Sequence, residues 1–410
     1  MKKIVFSVLS LLLGLLPLAA APTGSKFVTV NGPDLLNPDG TKLYIRGTNL
    51  GNWLNPEGYM FGFSKTNSPR FINELFCQMV GEDATADFWE AFKENYITKA
   101  DIDFIASTGA NTIRLPFHYK LFTDEDYMGR ASNHEAFDLI DRVVGWCRAN
   151  GLYLILDMHD APGGQTGDNI DDSYAYPYLF ESERAQKKFC DIWGRIAARY
   201  VDEPVILGYE LINEPIAHYF KNLGELNSKL ENVHKMAVAE IRKHDKNHII
   251  LLGGAQWNGN FDPFTDWSYD DKLMYTCHRY GGEPIPAAIG NIIAFRDKTN
   301  LPMYMGEIGH NTDEWQEKFV RTLEDNNIGY TFWPYKKLDD SCMMGIRRPA
   351  EWDSIVAFSE RSRASYSEIR DNRPDPALVR KAMDEFIRNS RAENCVPQKS
   401  YIKSIHLNVK

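Results

Sequence analysis

Val205-Ile-Leu-Gly-Tyr-Glu-Leu-Ile-Asn-Glu-Pro215 begins as an apolar, β-branched run and ends in charge. Its first residues have the composition of a strand buried on both faces. Gly208 marks a point where close packing leaves no room for a side chain. Asn213 and Glu214 close the run, and Pro215, which cannot donate to a sheet ladder, stops it. A carboxylate at the C-terminal tip of an otherwise apolar strand is how a parallel α/β barrel presents its chemistry. Leu301-Pro-Met-Tyr-Met-Gly-Glu-Ile-Gly309 repeats the arrangement downstream, with Glu307 behind a glycine.

Working outward from these two runs, short apolar segments alternate with helical periodicity. Strands are expected at 44–49, 111–116, 152–158, 205–213, 248–253, 273–278, 302–306 and 328–333. Helices are expected at 87–96, 100–107, 135–149, 183–200, 226–244, 288–299 and 314–325, with Gly151 as a C-cap. Eight strands in this alternation predict an α/β fold, a single (β/α)8 TIM barrel. Residues 27–43 read as an N-terminal β-hairpin turning at Pro38-Asp39-Gly40 and closing the barrel bottom. Gly51 to Thr85 reads as a long aromatic loop. A C-terminal helical extension, 351–410, carries helices at 352–359 and 374–389. No Pro-, Ser- or Gly-rich linker and no repeat divides the chain, so 22–410 is expected to be one catalytic domain.

Lys2 and Lys3 precede an apolar run that ends at Ala19-Ala20-Ala21-Pro22, the pattern of a signal peptide over 1–21 that is removed on export. The expected location is therefore secreted or periplasmic. The formal charge of −10 becomes more acidic still without those lysines. Such a surface disfavours nucleic acid and anionic membranes and suits a neutral substrate. Cys77, Cys147, Cys190, Cys277, Cys342 and Cys395 form no close metal-type pair, and neither His159 nor His278 has the neighbours of a zinc site. No metal and no cofactor is expected.

Polar residues collect at the predicted strand ends: Arg114, His159, Asn213, Glu214, His278, Tyr280, Glu307 and Trp333. Two carboxylates on two strand tips are the minimum equipment for cleaving a glycosidic bond. The pieces Asn111-Thr-Ile-Arg-Leu-Pro116, Leu156-Asp-Met-His159, Leu211-Ile-Asn-Glu-Pro215, His278-Arg-Tyr280, Gly306-Glu307 and Phe332-Trp333 resemble glycoside hydrolase family 5, whose retaining barrels carry their carboxylates on strands four and seven. Ile45-Arg-Gly-Thr-Asn-Leu-Gly-Asn-Trp-Leu54 looks like the opening of that family's exo-acting β-glucanase branch, with Asn52 where a second glycine is usual. The resemblance, running from about Tyr44 to Trp333, implies a secreted retaining enzyme that cleaves β-linked glucosides or β-glucan-type polysaccharides. It implies Glu214 as general acid/base and Glu307 as nucleophile. Arg114 and Tyr280 would keep Glu307 ionised, and Asn213 would bond the sugar 2-hydroxyl. His159 and His278 would bond sugar hydroxyls or orient the acid/base, and Trp333 would stack on the pyranose ring.

Other residues are open to two readings. His118, Trp53 and Trp257 are candidate substrate contacts, each equally readable as packing. Asp168, Asp171 and Asp172 read as a solvated loop or a wall of the sugar site, with Ca²⁺ ligation as the alternative. The long first, third and eighth loops favour action at chain ends. Alternatives are a β-mannanase or a glycosidase of another β-linked glycan, and, in a different class, a catalytically silent carbohydrate-binding barrel.

Overall fold

A computed structural model describes residues 24–132 and 135–409; the expected signal peptide lies outside them. Eight parallel strands close into a barrel: β1 (Arg46–Asn49), β2 (Thr112–His118), β3 (Tyr153–Asp160), β4 (Ile206–Glu210), β5 (Ile249–Gly253), β6 (Leu273–Arg279), β7 (Met303–Gly309) and β8 (Gly329–Trp333). Each pairs with its sequence neighbours, and β8 pairs with β1. β2, β4, β5 and β7 are buried along their whole length, which is why they read as continuous apolar runs rather than alternating ones. Gly208 is required by packing, since a Cβ there would stand 2.4 Å from the Ile249 carbonyl oxygen. The expected helices recur within a few residues, among them Ala136–Asn150, Glu183–Tyr200, Leu223–Ile241 and Asp313–Asp325. The fold is a (β/α)8 TIM barrel.

Three departures from the sequence reading have local causes. The N-terminal segment is a three-stranded antiparallel meander, Thr29–Asn31, Asp34–Leu36 and Lys42–Leu43, rather than one hairpin. Its first turn uses Gly32 at φ +58°, a conformation glycine enters freely. Val28, Leu35 and Leu43 from this segment pack on Ile155, Leu207, Ile249, Leu251 and Met274, plugging the barrel at the N-terminal ends of its strands.

The loop after β1 contains a full helix, Pro69–Val80. Ser68 caps it and Pro69 sits at its first position, a start signal hidden among the aromatics. Finally, a short helix that was not expected, Tyr366–Asn372, precedes the expected last long one, which runs Pro376–Ser390. Arg373 is extended because the residue before a proline avoids the helical region.

Phe61, Phe76, Trp89 and Phe92 meet Trp352 and Phe386 in one aromatic cluster, so the C-terminal extension shares its core with the loop after β1. All six cysteine thiols are unbridged. Among the described residues no helix is long and apolar enough to cross a membrane.

Candidate active site

Side chains alternate along a strand, so Asp157 and His159 share one face of β3. That face meets Arg114 of β2 and Glu210 of β4 across the C-terminal mouth of the barrel. Arg114 is fully buried and donates to both Glu210 oxygens, Nε at 3.0 Å and Nη2 at 2.7 Å. Its Nη2 also meets Asn213 Oδ1 at 2.8 Å and Asp157 Oδ2 at 3.0 Å, and its Nη1 reaches Glu307 Oε1 at 2.6 Å. One guanidinium thus stands among three buried carboxylates, and only this pairing makes so much buried charge tolerable. Burial pushes Asp157 up to about 7, against the pull of Arg114.

Glu307 is brought forward by an irregularity in β7. The register shifts between Met305 and Ile308 against β8, and His278 of β6 lies opposite Glu307. Gly306 is forced here, because a Cβ would stand 2.3 Å from Thr276 Oγ1. Tyr280 donates its hydroxyl to Glu307 Oε2 at 2.8 Å, so each oxygen of this carboxylate has its own donor. Glu214 sits in the turn after β4 at φ +45°, a left-handed conformation held by its surroundings. Its Oε1 is 2.8 Å from His278 Nδ1. Burial raises its pKa to about 7, partly offset by Arg114. Burial also holds His278 down at about 4, so the imidazole beside Glu214 is neutral. Donor atoms of Glu214, His278 and Glu307 all lie within 4.8 Å of one another. A cation could be reached by these three, but the Arg114 guanidinium on Glu307 already supplies the positive charge and would repel it.

The two carboxylates open into a cavity of about 310 Å³ lined by Glu57, Tyr59, His159, Ile170, Tyr280, His310 and Trp333 besides the acids themselves. His159 and Trp333 stack with ring centroids 5.2 Å apart. Asn213 donates its amide to His159 Nε2 at 3.4 Å, which leaves Nδ1 to carry the proton toward Asp157 at 2.7 Å. Trp333 Nε1 donates to the Tyr59 hydroxyl at 2.6 Å, and that hydroxyl lies 3.1 Å from His310 Nε2.

A protein-family model, Cellulase (glycosyl hydrolase family 5), matches residues 76–339. The chain belongs to glycosyl hydrolase family 5. Among curated proteins, this family 5 chain is 28% identical over 368 residues to a "Beta-xylosidase" of Phanerodontia chrysosporium, covering 80% of this chain and 75% of the relative. It is 31% identical over 380 residues to a "Probable glucan endo-1,6-beta-glucosidase B" of Aspergillus flavus, covering 80% and 93%. A rutinosidase structure from Aspergillus niger shares the fold, with TM-score 0.58 at 20% identity over 72% of this chain and 90% of that one. As a member of the family, the chain is a glycoside hydrolase.

Within this family 5 enzyme the expected residues fall into three groups. Glu214, Glu307, His159, Tyr280 and Trp333 line the cavity. Arg114, Asn213 and His278 stand behind its wall, buried, and touch the acids and His159 rather than the open space. Asn213 Oδ1 accepts from Arg114, and its Nδ2 donates to His159 Nε2. Trp53, His118 and Trp257 do not line the cavity.

Trp53 is completely buried, its indole N–H donating to the Lys93 carbonyl at 2.9 Å. His118 is likewise buried, accepting from the Lys120 N–H through Nδ1 and facing Asp160 at 2.9 Å through Nε2. Trp257 lies at the rim and donates to His218 Nδ1 at 3.2 Å. Asn52 adopts φ +69°, which asparagine tolerates best after glycine, and its Oδ1 accepts the Glu57 N–H.

The 163–172 loop has a mechanical role that its composition concealed. Asp171 accepts the N–H groups of Thr166, Gly167 and Ser173, and Asp172 accepts that of Arg70. Asp168 takes the Tyr219 hydroxyl. These acids are therefore spent on holding the loop. The ordered loop in turn grips the turn that carries Glu214, with Gln165 Nε2 on the Asn213 carbonyl at 2.9 Å and Thr166 Oγ1 on that of Glu214 at 2.7 Å. It also sets Ile170 into the cavity wall. Gln165→Ala strands buried carbonyls and is expected to lower stability by about 1–3 kcal/mol. Urea unfolding measures it, and an unchanged midpoint would remove the bracing role.

Sequence reasoning missed Glu210, Asp157, Glu57, Tyr59, Ile170 and His310. Strand alternation from His159 could have found Asp157. Glu57 had no local signal, since its importance comes only from standing beside the two acids. Glu57 Oε1 is buried without a hydrogen-bond partner. Burial, then Glu307 and Glu214, push this carboxyl well above its ordinary range.

Proposed function

We propose that the chain is a retaining β-glycosidase acting on β-linked glucosides or β-glucan-type polysaccharides, with Glu214 as general acid/base and Glu307 as nucleophile. The observation that carries this is the spacing: an oxygen of each carboxylate lies within 4.8 Å of the other. Retaining enzymes hold the two carboxyl groups about 5–5.5 Å apart, while inverting ones leave about 6.5–9.5 Å for a water. Electrostatics separates the roles. Glu214, buried and pushed up to about 7, keeps a proton to give. Glu307 accepts from the Arg114 guanidinium on one oxygen and from the Tyr280 hydroxyl on the other, which suits it to the nucleophile's place.

In the first step a Glu307 oxygen bonds the anomeric carbon as the glycosidic C–O bond breaks, and Glu214 transfers its proton to the departing oxygen. In the second, Glu214 takes a proton from water, the water oxygen bonds the anomeric carbon, and the Glu307 carboxylate leaves. Glu57 and His159, both on the cavity wall, bond sugar hydroxyls, and Trp333 flanks the ring. A panel of β-1,3-, β-1,4-, β-1,6- and mixed-linkage glucans, mannan and aryl β-xyloside, with products sized over time, tests the substrate. Turnover of none of these would overturn the proposal.

The raised Glu214 predicts a pH profile. The acid must be protonated for the first step, so kcat/KM falls as pH rises through about 7. Glu214→Gln removes that alkaline limb, and a substrate whose leaving group needs no proton shrinks it. A limb that persists in Glu214→Gln would assign it to another group. The same shift has a stability sign. Between the ordinary carboxyl range and about 7 the folded chain holds a proton that the unfolded chain has released, so this group's contribution weakens as pH rises through that window.

Residues 1–21 are part of the same proposal as an export signal, with 22–410 as one secreted or periplasmic catalytic unit. N-terminal sequencing of the exported protein tests this, and a product that retains residues 1–21 would reject it.

A further inference from the structure

Asn49 ends β1, is fully buried, and does not line the catalytic cavity. Its amide nevertheless joins the two supports of the nucleophile. Oδ1 accepts from Arg114 Nη1 at 3.0 Å, the same nitrogen that donates to Glu307 Oε1 at 2.6 Å. Nδ2 faces three main-chain carbonyls and donates to Gly306 at 3.1 Å, Thr331 at 3.2 Å and Phe332 at 3.2 Å. A guanidinium can only donate and a carbonyl can only accept, so the surroundings fix which way this amide points.

Gly306 immediately precedes Glu307, and its carbonyl has a second side-chain donor. Thr331 Oγ1, fully buried on β8, donates to it at 2.6 Å. Both donors meet the chain at the irregularity in β7. Met305 pairs with Tyr330 and Ile308 with Phe332, so Gly306 and Glu307 together stand opposite Thr331 alone. Two residues against one is a bulge, which interrupts the ladder and re-aims a side chain. Buried backbone at such a point needs partners from elsewhere, and Asn49 and Thr331 supply them.

Resting on the functional reading above, we infer that Asn49 and Thr331 are positioning residues for the nucleophile. Together they pin the Gly306 carbonyl in the bulged strand. Asn49 also fixes Arg114, so the backbone of Glu307 and its charged partner are held in one frame. Their contribution lies in attack rather than in binding, because a reacting carboxylate must stand about 3–3.5 Å from the anomeric carbon and in line with the departing oxygen. Aspartate cannot substitute for Asn49, since a carboxylate has no proton to give three carbonyls and would compete with Glu307 for Arg114.

The test uses the full enzyme with 2,4-dinitrophenyl 2-deoxy-2-fluoro-β-glucoside and the matching β-cellobioside. The leaving group needs no acid and the fluorine slows the second step, so dinitrophenolate release reports attack by Glu307, and its saturation separates limiting rate from binding. The limiting rate should fall about tenfold in Thr331→Val and about 10²-fold in Asn49→Leu, the scale of a misplacement near 1 Å, with the binding constant unchanged. Thr331→Ser keeps the hydroxyl and should restore the rate. Thr331→Val, the milder change, decides the outcome should Asn49→Leu not fold. Thr48→Val is the control: Thr48 Oγ1, also buried, donates to the Phe332 carbonyl at 3.0 Å between the same two strands, away from Gly306 and Arg114. It should lower the unfolding temperature and leave the rate of attack as it was. Parent-like labelling of Thr331→Val, or a loss in Thr48→Val as large as in Thr331→Val, would overturn the inference while the adduct on Glu307 keeps the glycosidase reading intact. A parent enzyme that carries no adduct on Glu307 would overturn the reading and the inference together.

Discussion

Glu307→Ala is expected to lose on the order of 10⁴-fold or more in kcat/KM on every β-glycoside, the scale at which a covalent nucleophile is missed. Nothing nearby can replace it. Its neighbours on the cavity wall, Glu57 and Glu214, are both pushed toward the protonated form, and a neutral carboxyl is a poor nucleophile. Glu214→Ala should cost less, about 10²–10⁴-fold, as general acid–base help is withdrawn. Its loss should depend on the leaving group. With an activated aryl glycoside the first step survives, the second stalls, and a glycosyl-enzyme on Glu307 accumulates as a burst.

Azide, small enough for the cavity, separates the two roles by stereochemistry. In Glu214→Ala it attacks the glycosyl-enzyme and yields a β-glycosyl azide. In Glu307→Ala it occupies the nucleophile's place and yields the α anomer. Near-full hydrolysis by either variant, or the opposite pairing of anomers, would reverse the assignment.

Glu210→Gln and Arg114→Met should each destabilise the fold by about 3–5 kcal/mol, because removing one member of a buried charge pair leaves the other uncompensated. The Arg114–Glu210 pair is bidentate and neither side chain is exposed. Without Glu210 the guanidinium keeps Asp157 and Glu307; without Arg114 three carboxylates face one another in a dry barrel mouth. Glu210 touches neither the cavity nor the reacting atoms, so its effect on rate is exerted through Arg114 and the charge of Glu307.

A double variant isolates the two contributions. Arg114→Met with Glu210→Leu removes both charges and fills the space with apolar groups, an exchange that is often neutral or stabilising. Stability should return in urea unfolding while activity does not, because Glu307 has lost the guanidinium that bonds and positions its carboxylate. A Glu210→Gln protein with an unchanged unfolding midpoint would show that the pair is not what the barrel mouth depends on.

The barrel was legible in the chain because its signals are local. Short apolar runs such as Ile249–Leu252, bounded by turn residues and alternating with helical periodicity, read as strands buried on both faces, and polar residues at the C-terminal ends of such strands emerge at one mouth. Glu214 and Glu307 could be picked out for that reason, as could Arg114, His159, His278, Tyr280 and Trp333. Local signals also leave some residues undecided: Trp53 sits in the loop after β1 and His118 at the end of β2, and nothing in their immediate sequence distinguishes a residue facing the cavity from one facing the core. Strand closure decided that Trp53 turns inward to the Lys93 carbonyl and that His118 meets Asp160.

Partnership between side chains far apart in the chain was beyond any local reading. Glu210 looked like one more strand residue until β2 and β4 brought Arg114 against it, and Glu57 until the loop after β1 set it beside the two acids. The sequence by itself determined which elements form and which chemistry stands at their ends, because burial period and chain-stopping residues act within a few positions. Only the tertiary structure decided which carboxylates are neutralised, which remain protonated and which walls enclose the sugar, because desolvation and Coulomb energy depend on distances through space rather than along the chain.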